Sequence, residues 1–338
     1  MSLQQGGDPI EARRASQAAH RRVTAGRGSK ITSSRRNQGC RPESLLREVR
    51  LAKTIMITGS STGIGLGAAR AFAKRGYRVI ATVRSEDDAR RVQAEGKGNI
   101  HPVICDVTRK EHVAELPDCV RKITGDGILD GLINNAGIML APGPIEFQKM
   151  ENIHAQFDVN VFGMMAVTIA LLPLLGTADT ARKHAGRIIN ISSIEGKIAS
   201  PFISAYAATK HAIEGFSNSL RRELRLFGIK VIIVGPGGIK SEMWRKNPLH
   251  IAPLVGTAYE EPFRKLIKLS KEMEDDSATA DELGNFLVRI FAAPRPRARY
   301  AYSRTFMDGP WPIMLPDLWY DALLGMMLGL KRRSSSEP

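Results

Sequence analysis

After residue 50 the texture of the chain changes, and short apolar runs begin to alternate with segments of helix length. TIMITG leads to a helical stretch through AARAFAKRG, then YRVIATV, a further helix and IHPVICDV. GLINNAG, GRIINISS and KVIIVGPGG continue the pattern. No other feature limits the fold so strongly. Strands alternating with helices of roughly 10–15 residues imply βαβ units and a parallel sheet. Near-continuous apolar strands fit a sheet covered on both faces. The expected architecture is α/β: a single domain with a doubly wound parallel sheet over residues 51–305. A basic, disordered extension (1–50) precedes it, and an apolar C-terminal helix or tail (306–338) follows. With 338 residues, 43% of them apolar, the chain can build one large buried core.

The net charge of +15 is unevenly placed, since residues 1–53 hold twelve Lys/Arg against four Asp/Glu. This stretch lacks apolar periodicity and reads as disordered. It suits a solvated extension or a start upstream of the domain, an Arg- and Ser-rich organelle transit peptide, or a nucleic-acid arm. The last is disfavoured because no aromatic residues are interleaved and no known module surrounds it. The basic pI is therefore not read as nucleic-acid binding. No secretory h-region is visible. Cys40, Cys105 and Cys119 have neither metal-type spacing nor a disulfide framework. A cytoplasmic location is expected, with organelle targeting left open.

Thr58-Gly59-Ser60-Ser61-Thr62-Gly63-Ile64-Gly65 follows a strand and opens a helix, the context of a dinucleotide-binding turn. Glycines permit the tight turn and let the backbone approach a pyrophosphate at the positive helix N-terminus. At the end of the second strand an NAD site would carry an acid. Here Ala81-Thr82-Val83-Arg84-Ser85 has none, and Arg84 can pair with a 2′-phosphate. NADP(H) is thus expected rather than NAD(H). Asp106 and Val107 end the third strand, where the acid can accept from an adenine amino group or merely serve a turn.

Tyr206 and Lys210 stand four apart in YAATK, on one face of a helix. A phenol is a poor base at neutral pH, and a nearby cation favours its ionised form. Ser193, thirteen residues earlier at a strand end, could hold a substrate oxygen, whereas Ser192 should point away. Asn160 is a polar residue among apolar neighbours in FDVNVFG, which suits a functional amide or a satisfied core amide. The Tyr206 helix continues as an apolar stripe of Ile213, Phe216, Leu220, Leu224 and Phe227, closed by Gly228. Thr279 to Glu282 reads as a capping box.

TGSSTGIG, NNAG, Asn160, Ser193, YAATK and PGGIKS, in this order, resemble the short-chain dehydrogenase/reductase family over about residues 52–305. The resemblance implies a Rossmann-type fold with Tyr206 as general acid/base and Ser193 orienting the substrate oxygen. Lys210 would lower the tyrosine's pKa and bind the nicotinamide ribose, and Asn160 would hold a water relaying protons to Lys210. In the NNAG run, Asn134 would steady the sheet while Asn135, Ala136 and Gly137 contact the cofactor. Pro236, Gly237, Ile239 and Ser241 match the motif around the nicotinamide amide, Ser241 replacing the usual threonine. The implied reaction interconverts a secondary or primary alcohol and its ketone or aldehyde. A homo-oligomer is the family default.

The stretch SSIEGKIASPFISAYAATKHAIEGFSNSLRRELRLFGIKV is similar to retinol and 17-beta-hydroxysteroid dehydrogenases and their bacterial relatives. A bulky apolar substrate, steroid-, retinoid- or lipid-like, is expected. Residues 242–275, with Met243, Trp244, Leu249, Ile251 and Leu254, suit either a lid over such a ligand or ordinary packing on the domain. The apolar run from Asp317 is too short to span a bilayer. It suits packing on the domain or peripheral membrane contact, aided by Lys331, Arg332 and Arg333. A catalytically idle NADP-binding sensor or scaffold is the competing function, against which the complete set of site residues argues.

Overall fold

The computed structural model describes residues 52–178, 185–240, 249–304 and 314–330. Ser241, Met243, Trp244, Cys40, residues 1–51 and residues 331–338 lie outside them. Seven parallel strands form one sheet among the described residues, in the order β3-β2-β1-β4-β5-β6-β7. They are β1 (Thr54–Ile57), β2 (Arg78–Val83), β3 (Ile100–Ile104), β4 (Gly131–Asn134), β5 (Arg187–Ile191), β6 (Lys230–Pro236) and β7 (Arg299–Tyr302). The connecting helices are α1 (Gly63–Lys74), α2 (Glu86–Glu95), α3 (Lys110–Thr124), α4 (Met150–Phe157), α5 (Met164–Leu172), α6 (Ser204–Glu223), α7 (Glu260–Asp276) and α8 (Ala280–Ala292). A last helix, α9, covers Asp317–Leu328.

The central strands are largely apolar because both faces are covered. One core, with Ile55, Phe72, Val79, Leu287 and Phe291, lies under α1 and α8. The other, with Met56, Leu132, Val167, Ile188 and Leu220, lies under α3, α5 and α6. Phe72, Tyr77 and Phe291 meet edge to face, with ring centroids 5.2–5.9 Å apart. Pro102 sits in β3, an outermost strand, where a missing N–H interrupts no second ladder. The order of strands reverses between β1 and β4, and ligands of such sheets bind at the carboxyl ends beside that reversal.

Two local signals read in the sequence recur in the structure. Thr279 and Glu282 form the reciprocal capping box of α8. Gly228 (φ +71°) ends the helical run after Phe227, with Ile213, Leu220 and Leu224 buried on its inner side. The chain from Met150 to Thr177 is one helical run interrupted by π-helical turns at Asp158–Gly163 and Pro173–Thr177. It is long and apolar enough to cross a membrane, yet about half of that stretch is buried within the domain, as befits a core helix.

Candidate active site

The glycine-rich turn is stapled to the end of β4. The Thr58 hydroxyl accepts from the backbone N–H groups of Asn135 (2.9 Å) and Ala136 (3.0 Å). In return the Asn135 amide donates to the carbonyls of Thr58 (2.9 Å) and Gly59 (3.0 Å). Gly59 has φ +65°, and a Cβ on it would lie 2.8 Å from the Ala136 Cα. A Cβ on Gly65 would lie 2.2 Å from the Gly59 oxygen. These glycines thus serve the contact between turn and strand as directly as any approach of a ligand. Thr62 caps α1 without a side-chain hydrogen bond, and no acid occupies the first turn. The positive end of α1, at Gly63, Ile64 and Gly65, therefore meets no side-chain cap or carboxylate, which fits an anionic pyrophosphate.

Arg84 leaves β2 exposed beside this turn, and Ser85 caps α2 by accepting from the Asp88 N–H (3.2 Å). Asp106 accepts from the Thr108 N–H (2.9 Å) and hydroxyl (2.7 Å). Burial pushes the Asp106 carboxyl up, but the Thr108 hydrogen bonds and the charges of Arg84 and His112 outweigh it and hold the group below its usual range. Val107 is buried.

Ser193, Tyr206 and Lys210 come together at the carboxyl ends of β5 and β6. Ser193, 8% exposed, hydrogen-bonds the Tyr206 phenol, accepts from the Glu195 N–H (3.1 Å) and donates to the Pro236 carbonyl (3.4 Å). Ser192 instead turns toward the Lys210 carbonyl (3.5 Å), as strand alternation requires. Lys210 is buried, and its ammonium donates to the Ile191 carbonyl (3.1 Å) and lies 5.4 Å from the Tyr206 ring centroid.

Burial pushes the Tyr206 phenol well above its ordinary value, the Ser193 hydrogen bond pulls it back in part, and the Glu195 charge adds to the rise. Lys210 sits over the ring face, and burial lowers its own pKa to about 8. The fold alone therefore holds Tyr206 in its protonated form.

Asn160 lies in the π-helical turn, 1% exposed. Its amide oxygen accepts from the Ile138 N–H (2.7 Å), and its nitrogen donates to the Ile138 carbonyl (2.8 Å) and the Thr209 hydroxyl (3.0 Å). Gly137 passes between: a Cβ there would lie 3.3 Å from Asn160 Oδ1 and 3.8 Å from Lys210 Nζ. Asn134 donates to Asn190 and Thr168 (both 2.9 Å), tying β4 to β5 and α5. The Gly237 N–H donates to the Tyr302 carbonyl (2.9 Å), and Ile239 is buried where it bridges to Ala278.

Several site neighbours escaped sequence reasoning. Glu195 accepts from the Ser200 N–H (2.8 Å) and hydroxyl (2.9 Å), and Ser200 also hydrogen-bonds Tyr320 of α9. Leu328 of α9 is buried with Phe202, Leu254 and Phe263, and Leu249 and Ile251 pack against this cluster. The apolar tail and the segment before α7 thus pack on the domain beside Tyr206. Leu318 (79% exposed), Trp319 (70%) and Met326 (72%) face outward. Glu214, two turns' spacing from Tyr206 on α6, is 3% exposed and holds Arg299 of β7 at 3.2 Å. Its place inside the helix's apolar stripe was the available signal. Ala141, Ala199 and Phe202 have positive φ in the loops around Tyr206, a form of backbone strain that tends to cluster at functional sites.

Residues 53–251 match the family model for short chain dehydrogenase. The NADPH-dependent 3-dehydrocapnine reductase of Ornithobacterium rhinotracheale is 32% identical over 269 residues, covering 79% of this chain and 94% of the relative. Retinol dehydrogenase 16 of Mus musculus is 35% identical over 287 residues, covering 80% of this chain and 87% of the relative. The 17-beta-hydroxysteroid dehydrogenase type 6 of Bos taurus is 34% identical over 262 residues, covering 74% and 80%. A solved short-chain dehydrogenase from Streptomyces avermitilis superposes with a TM-score of 0.61 at 27% identity, over 74% of this chain and 87% of that one. Sheet order, stapled turn and likeness over most of the domain agree: the chain belongs to the short-chain dehydrogenase/reductase family, whose members are NAD(P)-dependent oxidoreductases acting on CH–OH groups.

Proposed function

We propose that the chain is an NADP(H)-dependent reductase or dehydrogenase interconverting a bulky apolar alcohol and its ketone or aldehyde, with Tyr206 as general acid/base. The convergence of Ser193, Tyr206 and Lys210 at the sheet's carboxyl edge carries this reading. Thr58, Gly59, Ser61 and the α1 N-terminus from Gly63 to Gly65 would hold the pyrophosphate. Arg84 would hold the 2′-phosphate, and Asp106 and Val107 the adenine. Asn135, Ala136, Gly137, Pro236, Gly237, Ile239 and Ser241 would border the nicotinamide half, with Tyr206 and Lys210 on its ribose. The cofactor, when bound, supplies or accepts the hydride.

In reduction, the Tyr206 phenol donates its proton to the carbonyl oxygen as the carbon gains hydride, and the Ser193 hydroxyl orients that oxygen. A phenol held protonated suits this direction. Lys210 compensates the phenolate that is left and guides the returning proton. The Asn160 side chain is taken up by Ile138 and Thr209, so its main-chain carbonyl is the group to hold a relay water. The apolar surroundings of the site, and relatives named for retinol and hydroxysteroids, support a steroid-, retinoid- or lipid-like substrate. Outward Leu318, Trp319 and Met326, followed in sequence by Lys331, Arg332 and Arg333, favour peripheral contact of a cytoplasmic enzyme with anionic lipid. Exposed Phe162 and Ile169 on the long helical run suit a homo-oligomer, checked by light scattering on the purified protein.

The test is separate titration with NADPH and NADH, alongside Arg84→Asp and Tyr206→Phe. NADPH should bind more tightly than NADH by tenfold or more, and Arg84→Asp should remove that preference. Tyr206→Phe should keep NADPH binding and lose turnover. Binding of neither nucleotide refutes the reading, and a Tyr206→Phe variant that still turns over removes the assigned acid/base.

A further inference from the structure

Beside Tyr206 lies a small cavity whose wall includes Met139, Leu140, Pro142, Phe202, Gln148 and Gln156. Its lining is largely apolar, yet it contains two side-chain amides with unusual accounts. Gln156 is 1% exposed; its nitrogen donates to the Asn152 carbonyl of its own helix (3.2 Å), and its oxygen has no partner. Gln148 donates to the carbonyls of Ala141 and Gly143, the latter at 3.4 Å, and its oxygen is also buried without a partner. Six buried side-chain polar atoms lack partners among the described residues, and two of the six belong to this one wall. Buried polar atoms are ordinarily paired, so two unpaired acceptors at one cavity point to a group that is meant to reach them. Gln148 spends both amide N–H groups on backbone carbonyls and Gln156 one, while their side-chain oxygens stay unmatched. A partner must bring an O–H or N–H. Tyr206 is the wall's one ionisable side chain, so the wall itself holds no carboxylate to compensate an ammonium, and a neutral hydroxyl is the better match.

We propose that Gln156 and Gln148 form a specificity subsite that receives a second, unreacting hydroxyl of the substrate, so that the enzyme prefers apolar hydroxyketones over the matching plain ketones. The inference rests on the reductase reading above and refines its substrate class. The hydroxyl lies near the reacting carbon, because Tyr206 borders the same cavity. A substrate lacking it leaves two acceptors buried and unpaired, and sites built this way discriminate strongly.

The experiment compares NADPH-linked reduction of 1-indanone and 1-tetralone with their hydroxylated forms, the hydroxyl being moved outward from the carbonyl. For at least one position kcat/KM should be tenfold or more higher for the hydroxylated member. Gln156→Met, close in shape and without the amide, should reduce that advantage about tenfold while leaving the plain ketone within twofold; Gln148→Met should act in the same direction. NADPH titration of each variant verifies that it folds. No hydroxyl preference at any position overturns the proposal. So does an equal loss on both members of a pair, the result expected if the amides merely hold a fixed water. If NADPH binds but no ketone is turned over, the reaction assigned above fails instead. Ligand-induced Tm shifts of the NADPH complex then decide the subsite: a hydroxyl-dependent shift lost in Gln156→Met sustains it, and equal shifts overturn it.

Discussion

Replacing Gly65 by alanine should damage both stability and cofactor binding, because the close approach at this position is between backbones. The added Cβ would stand 2.2 Å from the Gly59 oxygen, 2.6 Å from Asn135 Nδ2 and 2.9 Å from the Gly59 carbonyl carbon. The two Gly59 contacts are with backbone and cannot be relieved by a flexible side-chain end, whereas the Asn135 contact can be relieved only by moving that amide. Overpacking of this kind typically costs about 1–3 kcal/mol. Moving Asn135 away also weakens its two hydrogen bonds to Thr58 and Gly59, at roughly 1 kcal/mol each. A loss of about 3 kcal/mol corresponds to a Tm lowered by roughly 6–12 °C for a domain of this class. Because the same movement displaces the start of α1, NADPH affinity should fall by about tenfold or more. Thermal melts with and without NADPH and a fluorescence titration read both effects. Gly215→Ala is the matched control: it lies inside α6 with nothing within 4 Å of an added Cβ. There alanine should stabilise by about 0.5–1 kcal/mol. A Gly65→Ala protein melting within 2 °C of wild type and binding NADPH within about twofold would refute the packing argument.

Two further perturbations address the buried cation and the outward face of α9. The Lys210 ammonium titrates near 8 in the fold against 10.5 ordinarily, so between these values the unfolded chain carries a proton that the folded one lacks. Stability of the cofactor-free protein should therefore rise with pH above about 8. Tyr206, raised in the fold, opposes the rise once its unfolded counterpart ionises near 10. Over that window the gain is about 2 kcal/mol in denaturant melts, and Lys210→Met should flatten it; equal slopes in both proteins would remove Lys210 as the cause. For α9, combined Leu318→Ser, Trp319→Ser and Met326→Ser should reduce co-sedimentation with phosphatidylserine-containing vesicles at least tenfold. Failure of the wild-type protein to sediment, or an unchanged variant, would end the membrane reading.

Much of the fold was legible because its signals are local. Buried parallel strands need continuous apolar runs, α8 opens on its own capping residues, and Gly228 ends its helix by conformation alone. Tyr206 and Lys210 declare themselves by helix spacing, and Ser192 and Ser193 are told apart by strand alternation. Even Gln156 was within reach, standing four residues before Asn160 on a helix face otherwise turned to the core.

What local pattern could not supply was the partner of each polar group. Asn160 was read as a relay residue or a satisfied core amide, and the groups that hold its side chain, Ile138 and Thr209, come from elsewhere in the chain. Glu214 meets Arg299 from 85 residues away, and Tyr320 reaches Ser200 from a tail with no motif to place it. The protonation of Tyr206 followed the same rule. Spacing predicted a cation nearby, but the burial that raises the phenol and lowers the ammonium comes from the packing around them. The sequence by itself determined the alternation of elements, the turn that opens α1 and the residue types of the site, since propensity and spacing act over a few residues. Tertiary structure alone decided burial, hydrogen-bond partners and pKa, because each depends on atoms that distant parts of the chain bring within a few ångströms.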